Sequence, residues 1–359
     1  MKMTVNLGAR SYDIILRRGA LSNLYQLANL NRRVAVVTDS GVPAQYAQLV
    51  ADQCAEACII TVPAGEASKS LKTLEDVLRR MLAFGMGRGD LVAAVGGGVV
   101  GDLAGFAASV YMRGIDFINC PTTTLSMIDS SIGGKTAVDL GATKNIVGAF
   151  WQPRVVVADP NTLATLPRRQ FVNGLAEAVK EGLTFDSELF AIFETGDPDA
   201  EIETVISRSL LVKKNVVEQD ETEQGLRRAL NFGHTLGHGI EAVRGVRGRR
   251  TTGLYHGECV ALGMLPMIEP KALQKRTRAV YRRLGLPVAC RYDREAVLAE
   301  ALHDKKAQNG RITVIRCPGL GCWRADTLTP DALRALVYGA APEKAAPEKT
   351  APEKTSAGQ

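Results

Sequence analysis

The sequence predicts an α/β N-terminal domain, doubly wound and Rossmann-like, followed by a mainly α-helical C-terminal domain. Three observations predict it. Short β-branched runs alternate with longer amphipathic ones through the first half, a glycine-rich turn follows a wholly apolar run, and beyond about Pro167 apolar residues recur at helical spacing with few strand-like runs before Arg311.

Taken in order, the first sixteen residues alternate in the manner of a strand. Val34-Ala35-Val36-Val37, Cys58-Ile59-Ile60-Thr61-Val62 and Leu91-Val92-Ala93-Ala94-Val95 each precede a helix-like segment, which is the βα alternation of a mostly parallel sheet. A last strand is expected at Val155-Val156-Val157-Ala158, before Asp159-Pro160, so the first domain is expected to span 1–160 and the second 161–340. Helical spacing runs through Phe171 to Lys180, Ile202 to Val217 and Leu230 to Val243. Arg311 to Ile315 and Cys322-Trp323 are expected to form a small hairpin around Pro318-Gly319. From Ala341 the triplet Pro-Glu-Lys recurs at Pro342, Pro347 and Pro352 with almost no apolar residue to offset the entropy of ordering, so 341–359 is expected to be a disordered tail.

With 359 residues, 46% of them hydrophobic and 23% charged, the chain is long enough for two cores. Its net charge of +6 is modest and its basic residues are scattered, which argues against a nucleic-acid partner and suits a small anionic substrate. Seven cysteines form an odd set without a CxxC pair, as expected of reduced thiols. No secretory-type apolar segment opens the chain, and every long apolar stretch is broken by Gly or charge, so a cytoplasmic protein without a membrane span is expected.

Gly96-Gly97-Gly98-Val99-Val100-Gly101-Asp102 follows a buried-type strand and opens a helix. Glycine lets backbone approach a pyrophosphate, and the N–H groups of the helix start point at it; the spacing is not GxGxxG, so the expected dinucleotide site is a variant one, and a ligand-free tight turn is the alternative. Gly133-Gly134-Lys135-Thr136 has the end of a P-loop, but the first glycine of that motif would fall on Asp129, which argues against triphosphatase chemistry. Lys135 remains a compact charge suited to a phosphate or carboxylate. Three of the four histidines lie in Asn231-Phe232-Gly233-His234-Thr235-Leu236-Gly237-His238 and Tyr255-His256-Gly257-Glu258. His234 and His238 are four apart on one helical face, where two imidazoles reach one metal; Thr235 stands where HExxH has its Glu, which disfavours protease chemistry. Glu177 and Lys180, three apart, read either as an exposed ion pair or as a carboxylate ligand beside an anion-binding ammonium.

The ordered set GGGVVGDLAGF, YMRGIDFINCPTTTLSMIDSSIGGKT, KNIVGAFWQP, TLPRRQFVNGLAEAVK, LNFGHTLGH and HGE resembles the 3-dehydroquinate synthases, members of the sugar phosphate cyclase superfamily, from about Val34 to about Lys306. The resemblance implies conversion of 3-deoxy-D-arabino-heptulosonate 7-phosphate to 3-dehydroquinate and phosphate, a step towards the aromatic amino acids, with NAD regenerated each turnover and Zn2+ or Co2+ bound. Carried over, the family's metal ligands fall on Glu177, His234 and His256, with His238 as a catalytic neighbour, whereas spacing alone would choose His238 over His256. Asp129, Lys135, Asn145 and Lys180 match catalytic positions; Lys213, Arg227, Asn231 and one of the Lys305-Lys306 pair, here Lys306, match substrate contacts. Asp39, Glu66, Lys69, Gly97, Gly98, Asp102, Thr122, Thr123, Lys144 and Thr165 match cofactor positions, and Arg113 matches an arginine that reaches a neighbouring subunit's site, which implies a homodimer.

The match has departures. Residues 239–255, with Arg244, Arg247, Arg249 and Arg250, look longer than usual; the helical region after Gly263 looks shorter and carries Pro266 and Pro270; Asp139-Leu140-Gly141 replaces a segment that commonly holds Asn and Pro; and Glu181 stands where an aromatic or His is more usual. The competing readings are another sugar phosphate cyclase making a cyclitol, a glycerol dehydrogenase-like oxidoreductase, and a non-catalytic protein that keeps only the fold. Arg113, Lys135, Asn145 and Lys213 favour the dehydroquinate reading over the first, the GGKT and KN segments over the second, and the Glu177, His234, His256 set over the third.

Overall fold

The structure is a computed structural model that describes residues 1–141, 143–246, 253–303, 307–308 and 311–338. The expected tail at 341–359, the Lys305-Lys306 pair and residues 247–252 of the arginine-rich segment lie outside the described residues.

The first half builds one seven-stranded sheet from β1 (Lys2–Val5), β2 (Tyr12–Leu16), β3 (Arg33–Asp39), β4 (Glu56–Val62), β5 (Leu91–Gly96), β6 (Asp116–Pro121) and, after a separate hairpin of β7 (Lys135–Leu140) and β8 (Thr143–Phe150), β9 (Val155–Ala158). Their order is β1-β2-β9-β6-β5-β3-β4, parallel except for the β1–β2 edge. Every residue of β5 is buried, as a strand covered on both faces requires. Helices α1 (Ala44–Ala51), α2 (Leu71–Ala83) and α3 (Gly98–Val110) make the crossovers. Parallel strands end on one side of the sheet, so Asp39, the turn after Val62, the Gly96–Gly98 turn and the Pro121–Thr123 segment gather at one edge, where open α/β sheets bind ligands.

The second half is mainly helical: α4 (Arg168–Thr184), α5 (Ser187–Thr195), α6 (Ile202–Gln219), α7 (His234–Arg244), α8 (His256–Met264), α9 (Lys271–Leu284), α10 (Arg294–His303) and α11 (Pro330–Tyr338), with a small sheet of β10 (Ala307–Gln308), β11 (Arg311–Gly319) and β12 (Cys322–Leu328). The fold class is as expected, and several details differ. Strand β6 and the β7–β8 hairpin were not expected, the C-terminal hairpin turns after Gly319 at Gly321 (φ +75°) rather than around Pro318-Gly319, and α7 begins at His234 because Gly233 is left-handed at φ +78°. Pro266 sits in the short turn that ends α8 and Pro270 caps α9, so both prolines fall between helices.

Val5, Tyr12, Ile14, Leu16, Val156 and Ala158 share one apolar core with Leu175, Val179, Leu183, Phe190 and Ile206 of the helices, so the core runs unbroken past residue 160. Helix α4 is its axis, buried from Val172 to Thr184. No helix among the described residues is long and apolar enough to cross a membrane.

Candidate active site

A helix buried all round is ordinarily apolar all round, yet α4 carries Asn173, Glu177, Lys180, Glu181 and Thr184 inside the protein. Residues 173, 177, 180, 181 and 184 follow the helical repeat and form one polar stripe. Glu177 and Lys180 make a fully buried ion pair, which replaces the solvated pair that their spacing also permitted.

The stripe meets the starts of two helices. His234 opens α7 directly after left-handed Gly233, and His256 opens α8, whose first turn is closed by a capping box between Tyr255 and Glu258. Asn173 Oδ1 accepts the Gly257 N–H at 2.7 Å, and Arg169 grips both oxygens of Glu258 at 2.7 Å, so α4 itself orients the helix that carries His256. As a result Glu177 Oε1 lies 3.6 Å from His234 Nε2 and 3.7 Å from His256 Nε2.

This geometry fits a metal. Ligand atoms about 2.1 Å from a tetrahedral ion stand roughly 3.4 Å apart. Glu177 Oε1 is buried and accepts no hydrogen bond, an expensive state for a carboxylate oxygen unless a cation completes it. His234 Nδ1 lies 3.2 Å from the Phe232 carbonyl and His256 Nδ1 lies 3.0 Å from Glu241 Oε2. With the proton on each Nδ1, both Nε2 lone pairs face Glu177, the support that metal-bound histidines usually have. Burial alone would depress the His256 imidazole, but Glu241 and Glu177 outweigh it and raise it to about 8, so the place favours positive charge. A second set, His238, Glu241 and His256, also lies close enough to share an ion, but it is less buried. The His238 ring stands edge-on to His234 with centroids 5.4 Å apart, which puts it beside the first set.

Next to Lys180 the chain turns through a π-helical segment at Ser126–Ser130, an uncommon conformation that often marks functional sites. It presents Asp129, whose Oδ1 accepts from Lys213 Nζ at 2.5 Å. Burial works to raise the Asp129 carboxyl, but Lys213 and Lys180 hold it well below the usual carboxylate range. Beyond it, the Gly133-Gly134 turn is held from both sides: Tyr12 Oη accepts the Gly133 N–H at 3.1 Å, and Arg227 Nη2 donates to the Gly133 carbonyl at 3.1 Å. Lys135 and Asn231 both donate to Glu223, whose φ of +64° is one of four left-handed non-glycine values among the described residues.

On the sheet side, Gly97 caps α3 without a side chain to offer. A Cβ there would meet Thr123 Cγ2 at 3.1 Å, and one on Gly98 would meet Ser130 Oγ at 3.0 Å. A side chain at either position would crowd these neighbours, and the first N–H groups of α3 open towards the same edge, a cradle suited to a pyrophosphate. Asp102 pairs with Lys69 at 2.7 Å; Lys69 also donates to Asn145 Oδ1 and lies 4.0 Å from Glu66. Asn145, left-handed at φ +52°, is held by Asp139, which accepts its N–H at 2.8 Å. Lys144 Nζ lies 3.5 Å from Glu66 and 2.8 Å from Glu241. Asp39 turns its carboxylate onto the Gly41 N–H, and Thr165 shares its hydroxyl with Tyr46 at 3.0 Å, at the rim of the same edge.

Most of the positions named from the sequence are therefore drawn together by direct contacts where the sheet half meets the helical half. Arg113 is not: it sits beyond the far end of α3, about 20 Å along the helix from Gly98. Lys306 falls outside the described residues. Three side chains that the sequence reading did not single out as site residues join them: Tyr12, Glu223 and Glu241. Glu241 follows His238 by three, a spacing at which a carboxylate shares its helical face; the other two carry no local signal.

The chain matches the family descriptions "3-dehydroquinate synthase N-terminal" over residues 59–173 and "3-dehydroquinate synthase C-terminal" over residues 174–307. It is 41% identical over 346 residues to the 3-dehydroquinate synthase of Caulobacter vibrioides, an alignment that covers 88% of this chain and 92% of that protein. Its structure is similar to that of 2-deoxy-scyllo-inosose synthase complexed with carbaglucose-6-phosphate, NAD+ and Co2+, with a TM-score of 0.83, 25% identity and coverage of 94% and 99%. It is also similar to that of 2-epi-5-epi-valiolone synthase from Streptomyces hygroscopicus subsp. jinggangensis with NAD+ and Zn2+ bound, with a TM-score of 0.81, 29% identity and coverage of 91% and 95%.

Proposed function

Because this chain belongs to the 3-dehydroquinate synthase family, we propose that its site converts 3-deoxy-D-arabino-heptulosonate 7-phosphate to 3-dehydroquinate and phosphate. In that conversion a secondary alcohol is oxidised, phosphate leaves by β-elimination, the ketone is reduced, the ring opens and an intramolecular aldol closes the carbocycle. The observation that carries the reading is the convergence of Glu177 Oε1 with His234 Nε2 and His256 Nε2 at 3.6 and 3.7 Å.

Glu177, His234 and His256 would hold a divalent Zn2+ or Co2+, and the Gly97–Gly98 turn with Lys69, Asp102, Lys144 and the Thr122-Thr123 pair would hold NAD; when bound, the ion polarises adjacent hydroxyls and the nicotinamide accepts and returns a hydride. The protein's own groups do the rest. Lys180 and Lys213, both buried, place two ammonium groups beside Asp129, where a substrate carboxylate or hydroxyl is oriented by fixed charge in a dry site. Lys135, Asn231 and Arg227 line the Gly133-Gly134 turn and suit the phosphate, with Lys135 exchanging its Glu223 partner for the anion. His238, next to the ligand imidazoles, is placed to carry a proton during elimination or ring opening.

The reading carries a cytoplasmic homodimer in which Arg113 completes the neighbouring subunit's site. Supporting it, Met112 and Arg113 are held left-handed at φ +49° and +69°, and Val110 and Met112 expose apolar surface beside Arg113. A cyclitol-forming rival is less favoured, since identity to the cyclases of that kind is 25% and 29% against 41%. The test is incubation with NAD and the heptulosonate phosphate, with and without chelator. Stoichiometric phosphate and dehydroquinate that stop with chelator are expected; NADH accumulating as a product would sink the reading.

A further inference from the structure

Glu241 has its two oxygens committed to different halves of the molecule. It lies on α7 two turns after His234, and its side chain is 15% exposed. Oε2 faces His256 Nδ1 at 3.0 Å and Oε1 accepts from Lys144 Nζ at 2.8 Å. Lys144 stands on β8, and its ammonium also lies 3.5 Å from Glu66, which follows β4. Lys69, three residues on, reaches Asp102 on α3. Charge thus alternates from the imidazole of His256 through Glu241, Lys144, Glu66 and Lys69 to Asp102, in the second turn of the helix that the glycine cradle opens.

We propose that Glu241 is a positioning residue that holds His256 towards the metal with one oxygen and Lys144 towards the dinucleotide with the other, so that occupancy of either place favours occupancy of the other. The inference rests on the preceding reading of those two places. A carboxylate that accepts a hydrogen bond from the Nδ1–H of a ligand imidazole fixes its tautomer and ring angle and makes Nε2 a better electron-pair donor to the metal. Once His256 is immobilised by an ion, Oε2 is fixed, and Oε1 is left as a stationary anchor for Lys144. A dinucleotide then meets an ammonium already in place and loses less entropy on binding. Lys144 is 45% exposed, so its pair with Glu241 adds little to fold stability; the pair acts on position. Coupling of this kind is reciprocal between the two ligands.

The test uses full-length wild type, Glu241→Gln and Glu241→Ala, each stripped with chelator and checked for an unchanged melt. Co2+ affinity is measured by competition with a chromophoric chelator, the visible Co2+ spectrum is recorded, and NAD affinity is measured with and without Co2+. In the wild type Co2+ tightens NAD by about fivefold or more. Glu241→Ala loses about 10- to 100-fold in Co2+ affinity and shifts the Co2+ bands. Glu241→Gln turns its carbonyl to His256 and keeps Co2+ affinity within about tenfold, but its amide cannot pair with Lys144, so the Co2+ effect on NAD disappears. Wild-type Co2+ affinity in Glu241→Ala, an undiminished Co2+ effect in Glu241→Gln, or no such effect in the wild type would each overturn the proposal. A wild type that binds no Co2+ at all would instead overturn the metal reading itself. Should Glu241→Ala fail to fold, Glu241→Gln alone decides.

Discussion

Replacing Gly174 by Ala tests whether the position of α4 sets the metal site. A Cβ at Gly174 would lie 2.3 Å from the Leu125 nitrogen and 2.6 Å from the Thr124 carbonyl carbon. Both are backbone atoms and neither can rotate away. Ordinary contact is about 3.4 Å or more, so helix and segment must part by roughly 1 Å. Alanine is favoured over glycine inside a helix by about 1 kcal/mol, and overpacking of this kind costs about 3 kcal/mol, so the net destabilisation is about 2 kcal/mol. For a chain of 359 residues that lowers the melting temperature by about 3 °C. The effect on the site is larger, because Glu177 is one turn further along the same helix. Moving its carboxylate by 1 Å from imidazoles now 3.6 and 3.7 Å away spoils the span an ion can bridge, and a misplacement of that size costs about 100-fold in rate. Metal content after dialysis, phosphate release and a thermal melt measure the three quantities together. A variant that melts lower yet keeps its metal and its turnover would refute the link between helix position and ligand set; one with an unchanged melt would refute the packing argument beneath it.

Glu177→Gln is expected to purify without a metal equivalent and, metal-free, to be less stable than metal-free wild type by about 3 kcal/mol, because Lys180 stays buried without its carboxylate; elemental analysis and denaturant unfolding check both. Lys135→Ala should keep wild-type metal content while turnover falls by about 100-fold or more, since an anion-positioning charge is lost and the ligand set is untouched; retained turnover would remove Lys135 from the site. Glu181 supplies a pH dependence. Burial, partly opposed by Lys180, raises its carboxyl to about 8, so between about pH 4.5 and pH 8 the unfolded chain is ionised at this residue while the folded one keeps its proton. Stability from this group is complete below pH 4.5 and is lost as pH rises through 8. Glu181→Gln should therefore gain in melting temperature relative to wild type on going from pH 5 to pH 8, and a pH-independent difference would refute the assignment.

The alternating strand and helix runs made the fold class legible because β3, β4, β5 and β9 are short, β-branched and bounded by Gly or Pro. Strand β6 escaped notice because Asp116-Phe117-Ile118-Asn119-Cys120-Pro121 mixes polar residues into a buried strand, where Asn119 lies beneath Gly101 and not at the surface. The β7–β8 hairpin escaped because its residues are mostly exposed on β8 and carry no apolar alternation. At the site, helical spacing drew attention to His234 with His238. His256 enters from a separate helix start, so no periodicity relates it to His234; resemblance to the family named it. Glu223 lay in a run of acidic and polar loop residues, Asp220 to Gln224, where one carboxylate looks like the next until Lys135 and Asn231 arrive from elsewhere in the chain.

The unbroken core past residue 160 bears on how such a protein can be taken apart. Strands β1, β2 and β9 lend Val5, Ile14, Leu16 and Val156 to the same apolar mass as α4, α5 and α6. A cut at the junction would give two pieces, each with a wet, greasy face where its counterpart belonged. Neither fragment should be soluble when expressed by itself, and the two made together should find one another and rebuild the whole, with the severed faces serving as the only glue required.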